Sequence, residues 1–242
     1  MALEVLALLD LKGTERVLDV GCGNGKTTAE IAARLPQGSV VGVDASADMI
    51  AFAVNHKAVQ PNLQFAVADA RQLPYQDEFD LVVSFNALHW IPQQDLALRS
   101  IHTALQRDGL AQLRLVPQGE RKSLEDVLEE TRLSSRWAGY FRGFCDPYLH
   151  LTPEQYGALA ERNGFKVTAT RVAAKSWDFQ SRSAFLAFGG VRFVEWTQHL
   201  PPEERLAFAT DVLDRYQQAA CDAPGEENFF RFYQMDVTLS PR

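Results

Sequence analysis

The nine residues Val17 to Gly25, VLDVGCGNG, constrain this chain more than any other stretch. Val17, Leu18 and Val20 form an apolar run suited to a strand buried on both faces, and the run stops at Gly21, Gly23 and Gly25. A sharp strand-to-helix turn is the consequence. Glycine suits it because it adopts positive φ, and because the missing Cβ lets another molecule lie against the backbone. Apolar residues at Ala29, Ile31, Ala32, Ala33 and Leu35 then predict a helix beginning near Gly25. Its free amides and dipole favour an anion.

The spacing narrows the ligand. A dinucleotide-binding turn would place its third glycine at position 26, which is Lys26. Asp44 closes a second apolar run, Ser39 to Val43, and an acid there can accept hydrogen bonds from a ribose hydroxyl pair. With VGVDAS at 41–46 and VADARQLP at 67–74, the turn resembles the first three motifs of the class I S-adenosylmethionine-dependent methyltransferases. The resemblance covers 16–116 well and the remainder loosely. It implies S-adenosylmethionine as cofactor, with Asp19, Gly21, Cys22, Gly23, Asn24 and Gly25 forming the turn beside it. It also places Asp69 on the adenine amine and the Ala70 amide on a ring nitrogen. Ala45 and Met49 would hold the adenosine between them, although Met49 reads equally as a helix core position. The simpler alternatives are a tight strand-to-helix connection for the glycines and a helix cap for Asp69.

From 16 to 116 strands and helices alternate, with strands expected at 16–20, 39–43, 63–67, 79–85 and 110–116. Helices are expected near 25–35, 46–58 and 93–106, with a weaker one at 70–76. This is a Rossmann-like α/β pattern: a mostly parallel sheet, helices on both faces, and ligands at the strands' carboxyl edge. Relatives imply seven strands, the last antiparallel, with a helical cover inserted after strand five. One domain spanning 1–242 is expected, divided into a cofactor core at 16–116, a cover at 117–163 and C-terminal strands and helices at 164–242. The first eleven residues read as a helix ended by Lys12-Gly13, and any N-terminal lid would be very short.

Composition excludes other classes. Cys22, Cys145 and Cys221 form no Cys-x-x-Cys pair, so neither a metal site nor a disulfide framework is expected, and a reducing cytoplasm is the natural setting. The apolar N-terminus is acidic and too short to span a membrane, and no export signal or anchor is expected. A net charge of −7 argues against a nucleic-acid partner. The oligomeric state stays open.

The fourth strand leads into Asn86-Ala87-Leu88-His89-Trp90, which lacks the Asn/Asp-Pro-Pro-aromatic pattern of nucleobase amine methyltransferases. It is similar to the Leu-His-Trp segment of the trans-aconitate and juvenile hormone acid methyltransferases, which esterify carboxylates. There the segment floors the site, so Asn86 and Ala87 are expected beside the cofactor and His89 and Trp90 toward the substrate. His89 is the expected catalytic residue, donating a hydrogen bond or taking a proton. The alternatives are a histidine satisfied within its loop and a tryptophan that packs. In the cover, aromatics at 137, 140, 141, 144 and 148 fall on one helical face, weakened by Gly139, Gly143 and Pro147. Trp137, Tyr140, Phe144 and Tyr148 are expected to bind substrate, with packing as the alternative. Arg114, Arg136 or Arg142 could fork onto a carboxylate, or remain solvated surface charges. Thr152-Pro153-Glu154-Gln155 is a helix start with a capping box, and Asn163-Gly164 its end. Phe165 to Ala173 alternates like a strand, Ser181 to Ala220 reads as helix broken at 200–202, and Phe229 to Leu239 as the last strand.

A small-molecule acceptor is expected, and no acid–base pair stands out beyond His89. That favours a carboxylate, which is ionised at neutral pH and needs no base. A natural-product hydroxyl, amine or carbon acceptor is the second reading. A non-catalytic cofactor-binding regulator is the third.

Overall fold

A computed structural model describes residues 2–57 and 60–242. The expectations for Met1 in the first helix and for Ala58 at the end of the third lie outside the described residues. In chain order the elements are α1 (Ala2–Leu6), β1 (Arg16–Val20), α2 (Lys26–Ala32), β2 (Ser39–Asp44), α3 (Ala47–Lys57), β3 (Leu63–Val67) and β4 (Phe79–Phe85). A 3-10 turn (Leu88–Trp90), α4 (Gln94–Ala104), β5 (Leu105–Leu115), α5 (Leu124–Arg132), a second 3-10 turn (Ala138–Phe141) and α6 (Pro153–Arg162) follow. The chain ends with β6 (Phe165–Asp178), α7 (Arg182–Arg192), α8 (Val194–Thr197), α9 (Pro202–Ala220) and β7 (Phe229–Pro241).

The seven strands form one sheet in the order β3-β2-β1-β4-β5-β7-β6. Pairs from β3 through β5 are parallel, and β7 runs antiparallel to β5, with Ala111 opposite Leu239 and Leu115 opposite Met235. Chain order reverses beside β1, because β2 lies on one side and β4 on the other. That switch point is where open α/β sheets hold ligands.

Two compact units divide the chain: 1–116 with 151–172 and 235–242, and 117–150 with 173–234. In the first unit, successive residues of β1 point to opposite faces and feed different cores. Leu18 packs with Val82, Leu98, Ile101 and Leu113, whereas Val17 packs with Ile31, Leu35 and Val40. Each such buried side chain contributes about 1.5–3 kcal/mol. Parallel strands covered on both sides therefore read as continuous apolar runs.

The second unit is built differently. α5, α7, α8 and α9 surround aromatic side chains, with Trp137 edge-on to Phe208 at 5.2 Å and Phe185 edge-on to Tyr216 at 6.1 Å. Polar atoms inside this unit are paired over long sequence distances. The Trp137 indole donates to Asp211 at 2.7 Å, and Arg192 donates to Glu125 at 2.7 Å and to the Tyr148 hydroxyl at 2.5 Å.

Several expectations are corrected. α1 stops at Leu6 rather than residue 11, and residues 70–76 form turns rather than a helix. β5 starts at Leu105 instead of 110 and α2 closes at Ala32. The aromatics from 137 to 148 do not share a helical face, because only 138–141 winds into a 3-10 turn. Gly143, at φ 78°, and Pro147 break any continuation. The capping boxes at Ser123 and Thr152 are formed, the second with Pro153 at the helix start. No helix among the described residues is long and apolar enough to cross a membrane.

Candidate functional site

A cleft of about 540 Å³ opens at the carboxyl ends of β1 to β4, within the roughly 300–1,000 Å³ typical of small-ligand sites. Its walls come from four turns, those following β1, β2, β3 and β4. The first contributes Gly21 and Gly23, the second Asp44 and Ala45, the third Ala68 to Arg71, and the fourth Asn86 to Leu88 with Trp90 to Gln93.

The first turn is held by hydrogen bonds to the backbone of β2. The Gly21 and Cys22 amides both donate to the Val43 carbonyl, at 2.8 and 3.0 Å. Gly21 sits at φ 76°, and a Cβ there would lie 2.2 Å from the Ala87 methyl. Glycine thus lets the β1 and β4 turns touch. Gly23, at φ 53°, has nothing within 4 Å of a built Cβ, so its face is open to a ligand. Gly25 answers a packing need instead, since a Cβ would meet the Phe65 ring at 2.5 Å.

Asp44 braces this turn: its carboxylate accepts the Gly23 amide and the Ser46 amide, each at 2.9 Å. Beneath it Asp19 is buried and accepts the Thr28 hydroxyl at 2.7 Å. Burial pushes the Asp19 carboxyl up to about 6, with the nearby Asp44 charge adding to the shift and the Thr28 bond opposing it. Burial, reinforced by Asp19 and Asp44, also pushes the Cys22 thiol up, which leaves it un-ionised and a poor nucleophile. Asn24 takes the first helical amide, that of Lys26, at 3.2 Å.

Asn86 adopts a left-handed φ of 59° and its amide donates to the Arg114 carbonyl at 2.7 Å. This bend turns the chain back into the 3-10 turn that sets Trp90 on the cleft wall. His89 points the other way. Its imidazole is 1% exposed, Nδ1 accepts the Val116 amide at 3.4 Å, and it is not among the residues lining the cleft.

Of the residues expected at the cofactor, Gly21, Gly23, Asp44, Ala45, Asp69, Ala70, Asn86 and Ala87 converge on the cleft, together with Trp90. Asp19, Cys22, Asn24 and Gly25 stand behind or beside it, and Met49 is 46% exposed on α3 outside the lining. Arg114 is also outside. It is buried, and its guanidinium forks onto Asp236 at 2.6 and 2.9 Å, a structural pair within the sheet. Trp137, Tyr140, Phe144 and Tyr148 belong to the second unit, where Trp137 and Tyr148 are buried and Phe144 packs 5.7 Å from Phe141 and 5.8 Å from Trp196. There too, the Arg136 guanidinium lies over the Trp137 ring at 4.3 Å and Arg142 is exposed.

Arg71 and Gln93 line the cleft without having been expected there. Arg71 was legible in part, two residues beyond Asp69, whereas nothing in the sequence brings Gln93 to it. The Arg71 fork holds the Asp69 carboxyl below the usual carboxylate range. Among the described residues, no group of three or more His, Cys, Asp or Glu is arranged to hold a metal ion.

The open Gly23 backbone and paired acids on successive strand ends suit a nucleoside with a polar tail. A methyltransferase domain family model matches residues 17–109. The chain is 31% identical to the trans-aconitate 2-methyltransferase of Methylobacterium radiotolerans, across 90% of this chain and 82% of that protein. It is 29% identical to the enzyme of the same name from Deinococcus radiodurans, across 96% and 88%. The crystal structure of the YcgJ protein from Bacillus subtilis superposes with a TM-score of 0.68 at 18% identity, covering 100% of this chain and 97% of that one, a likeness of fold. An identity of that level sustained over nine-tenths of the length, on a sheet of this order, places the chain in the class I S-adenosylmethionine-dependent methyltransferase family, with S-adenosylmethionine as its methyl donor.

Proposed function

We propose that the protein transfers the methyl group to an oxygen of a small carboxylic acid. The observation that carries this reading is the near full-length similarity to two trans-aconitate 2-methyltransferases. The donor would supply a sulfonium methyl, with the acceptor oxygen bonding to the methyl carbon in line as the carbon–sulfur bond breaks and S-adenosylhomocysteine leaves. Everything else falls to positioning, which can contribute about 7–11 kcal/mol when the reacting atoms are held near 3 Å with water excluded.

The backbone at Gly21 and Gly23 meets the polar tail of the donor, and Asp44 accepts from the ribose hydroxyls while keeping the turn closed. Asp69 accepts from the adenine amine, with the Ala70 amide beside it. Asp19, Cys22, Asn24 and Gly25 shape the turn from behind, and Ala45, Met49, Asn86 and Ala87 border the nucleoside. His89 acts through its bond to the Val116 amide, holding the 3-10 turn so that Trp90 faces the cleft, a positioning role. The chain 1–242 acts as one methyltransferase on a small molecule, in the cytoplasm, without nucleic acid or membrane.

A carboxylate acceptor accords with an imidazole turned away from the cleft, since an ionised oxygen needs no proton removed. The test is methyl-labelled donor with di- and tricarboxylic acids, phenols and amines. Label released as methanol by mild alkali marks a methyl ester and supports the reading. Alkali-stable label on a phenol or amine overturns it.

A further inference from the structure

We propose that Arg71 is an internal competitor for Asp69, a positioning residue that occupies this carboxylate in the empty cleft and must be displaced when the donor's nucleoside arrives. The inference rests on the assignment of Asp69 to the adenine amine.

The geometry is that of a fork across the cleft mouth. Asp69 Oδ1 accepts the Arg71 amide at 2.9 Å, Nε lies 3.0 Å from both oxygens, and Nη2 donates to Oδ2 at 2.6 Å. The remaining arm, Nη1, donates to Gln93 Oε1 at 3.1 Å. Asp69 and Arg71 follow β3, whereas Gln93 follows β4, so one guanidinium ties two walls of the cleft. An exocyclic amine reaching Asp69 meets a carboxylate whose two oxygens already accept from a planar, pre-organised donor. Exchange is feasible because the pair is loose: the side chains are 45% and 42% exposed, and ion pairs in that setting are weak and salt-screened. When the amine takes Asp69, Arg71 retains Gln93 and remains at the rim.

The inference predicts that removing the competitor tightens binding. Calorimetry of the full chain with S-adenosylhomocysteine compares wild type, Arg71→Leu and Arg71→Lys, each first shown to melt cooperatively. Arg71→Leu should bind about two- to fivefold tighter, the exchange value of an exposed pair, with Arg71→Lys between. Added salt should tighten wild type toward the Arg71→Leu value and leave that variant's ratio to wild type shrinking. In an Asp69→Asn background, Arg71→Leu should change nothing. Unchanged or weaker binding by Arg71→Leu overturns the competition, and weaker binding makes Arg71 a direct contact. If Asp69→Asn leaves affinity intact, the assignment of Asp69 fails and the inference with it.

Discussion

In the first unit, the cleft is walled by four turns at strand ends, and main-chain bonds tie the first of them to the neighbouring strand β2. Gly21 and Cys22 reach Val43 through main-chain bonds, and Asp44 reaches back to Gly23. The second unit satisfies its buried polar atoms with side chains far apart in sequence, such as Glu125 with Arg192 and Trp137 with Asp211. A site made of turns announces itself in glycine spacing, because only certain residues tolerate the required φ. A network of side chains leaves no local mark, because nothing in either partner's own stretch of sequence points to the other.

The contrast is sharpest at the ion pair between Glu125 and Arg192. Glu125→Ala removes a buried carboxylate that accepts from Arg192 and should lower unfolding free energy by about 1.5–3 kcal/mol in urea titration. A loss under about 1 kcal/mol would make that network decorative. Gly21→Ala forces a Cβ against Ala87 at positive φ and should lose about 2–4 kcal/mol together with S-adenosylhomocysteine affinity. Gly23→Ala, in open space, should cost only about 1 kcal/mol of backbone strain while still weakening binding, and equal losses from the two would refute the distinct roles.

Protonation of Asp19 tests the turn more gently. Its carboxyl is raised from the ordinary 3.8 to about 6, so the folded chain holds this proton more tightly than the unfolded chain. The contribution to stability is complete below pH 3.8 and is lost as pH rises through 6. Asp19→Asn, which keeps an acceptor for Thr28, should therefore exceed wild type by roughly 2–3 kcal/mol at pH 7.5, with the gain fading toward pH 4. A gain independent of pH would place the effect elsewhere.

The legible parts share a cause. β1 to β4, the glycine turn, Asp44 and Asp69 were readable because buried parallel strands are continuous apolar runs that end in turn residues. The 137–148 aromatics misled, since their spacing suits a helix but Gly143 and Pro147 forbid one. His89 was readable as a loop residue, while its burial and its bond to the Val116 amide, 27 positions away, were not.

By itself the sequence determined the alternating sheet, the bend after β1 and the acids that follow successive strands, since these depend on periodicity and on φ. Tertiary structure alone decided that His89 turns inward, that Arg114 belongs to Asp236, and that Arg71 bridges Asp69 to Gln93. Those outcomes depend on which partner satisfies a polar group, and partners are chosen by proximity in space rather than along the chain.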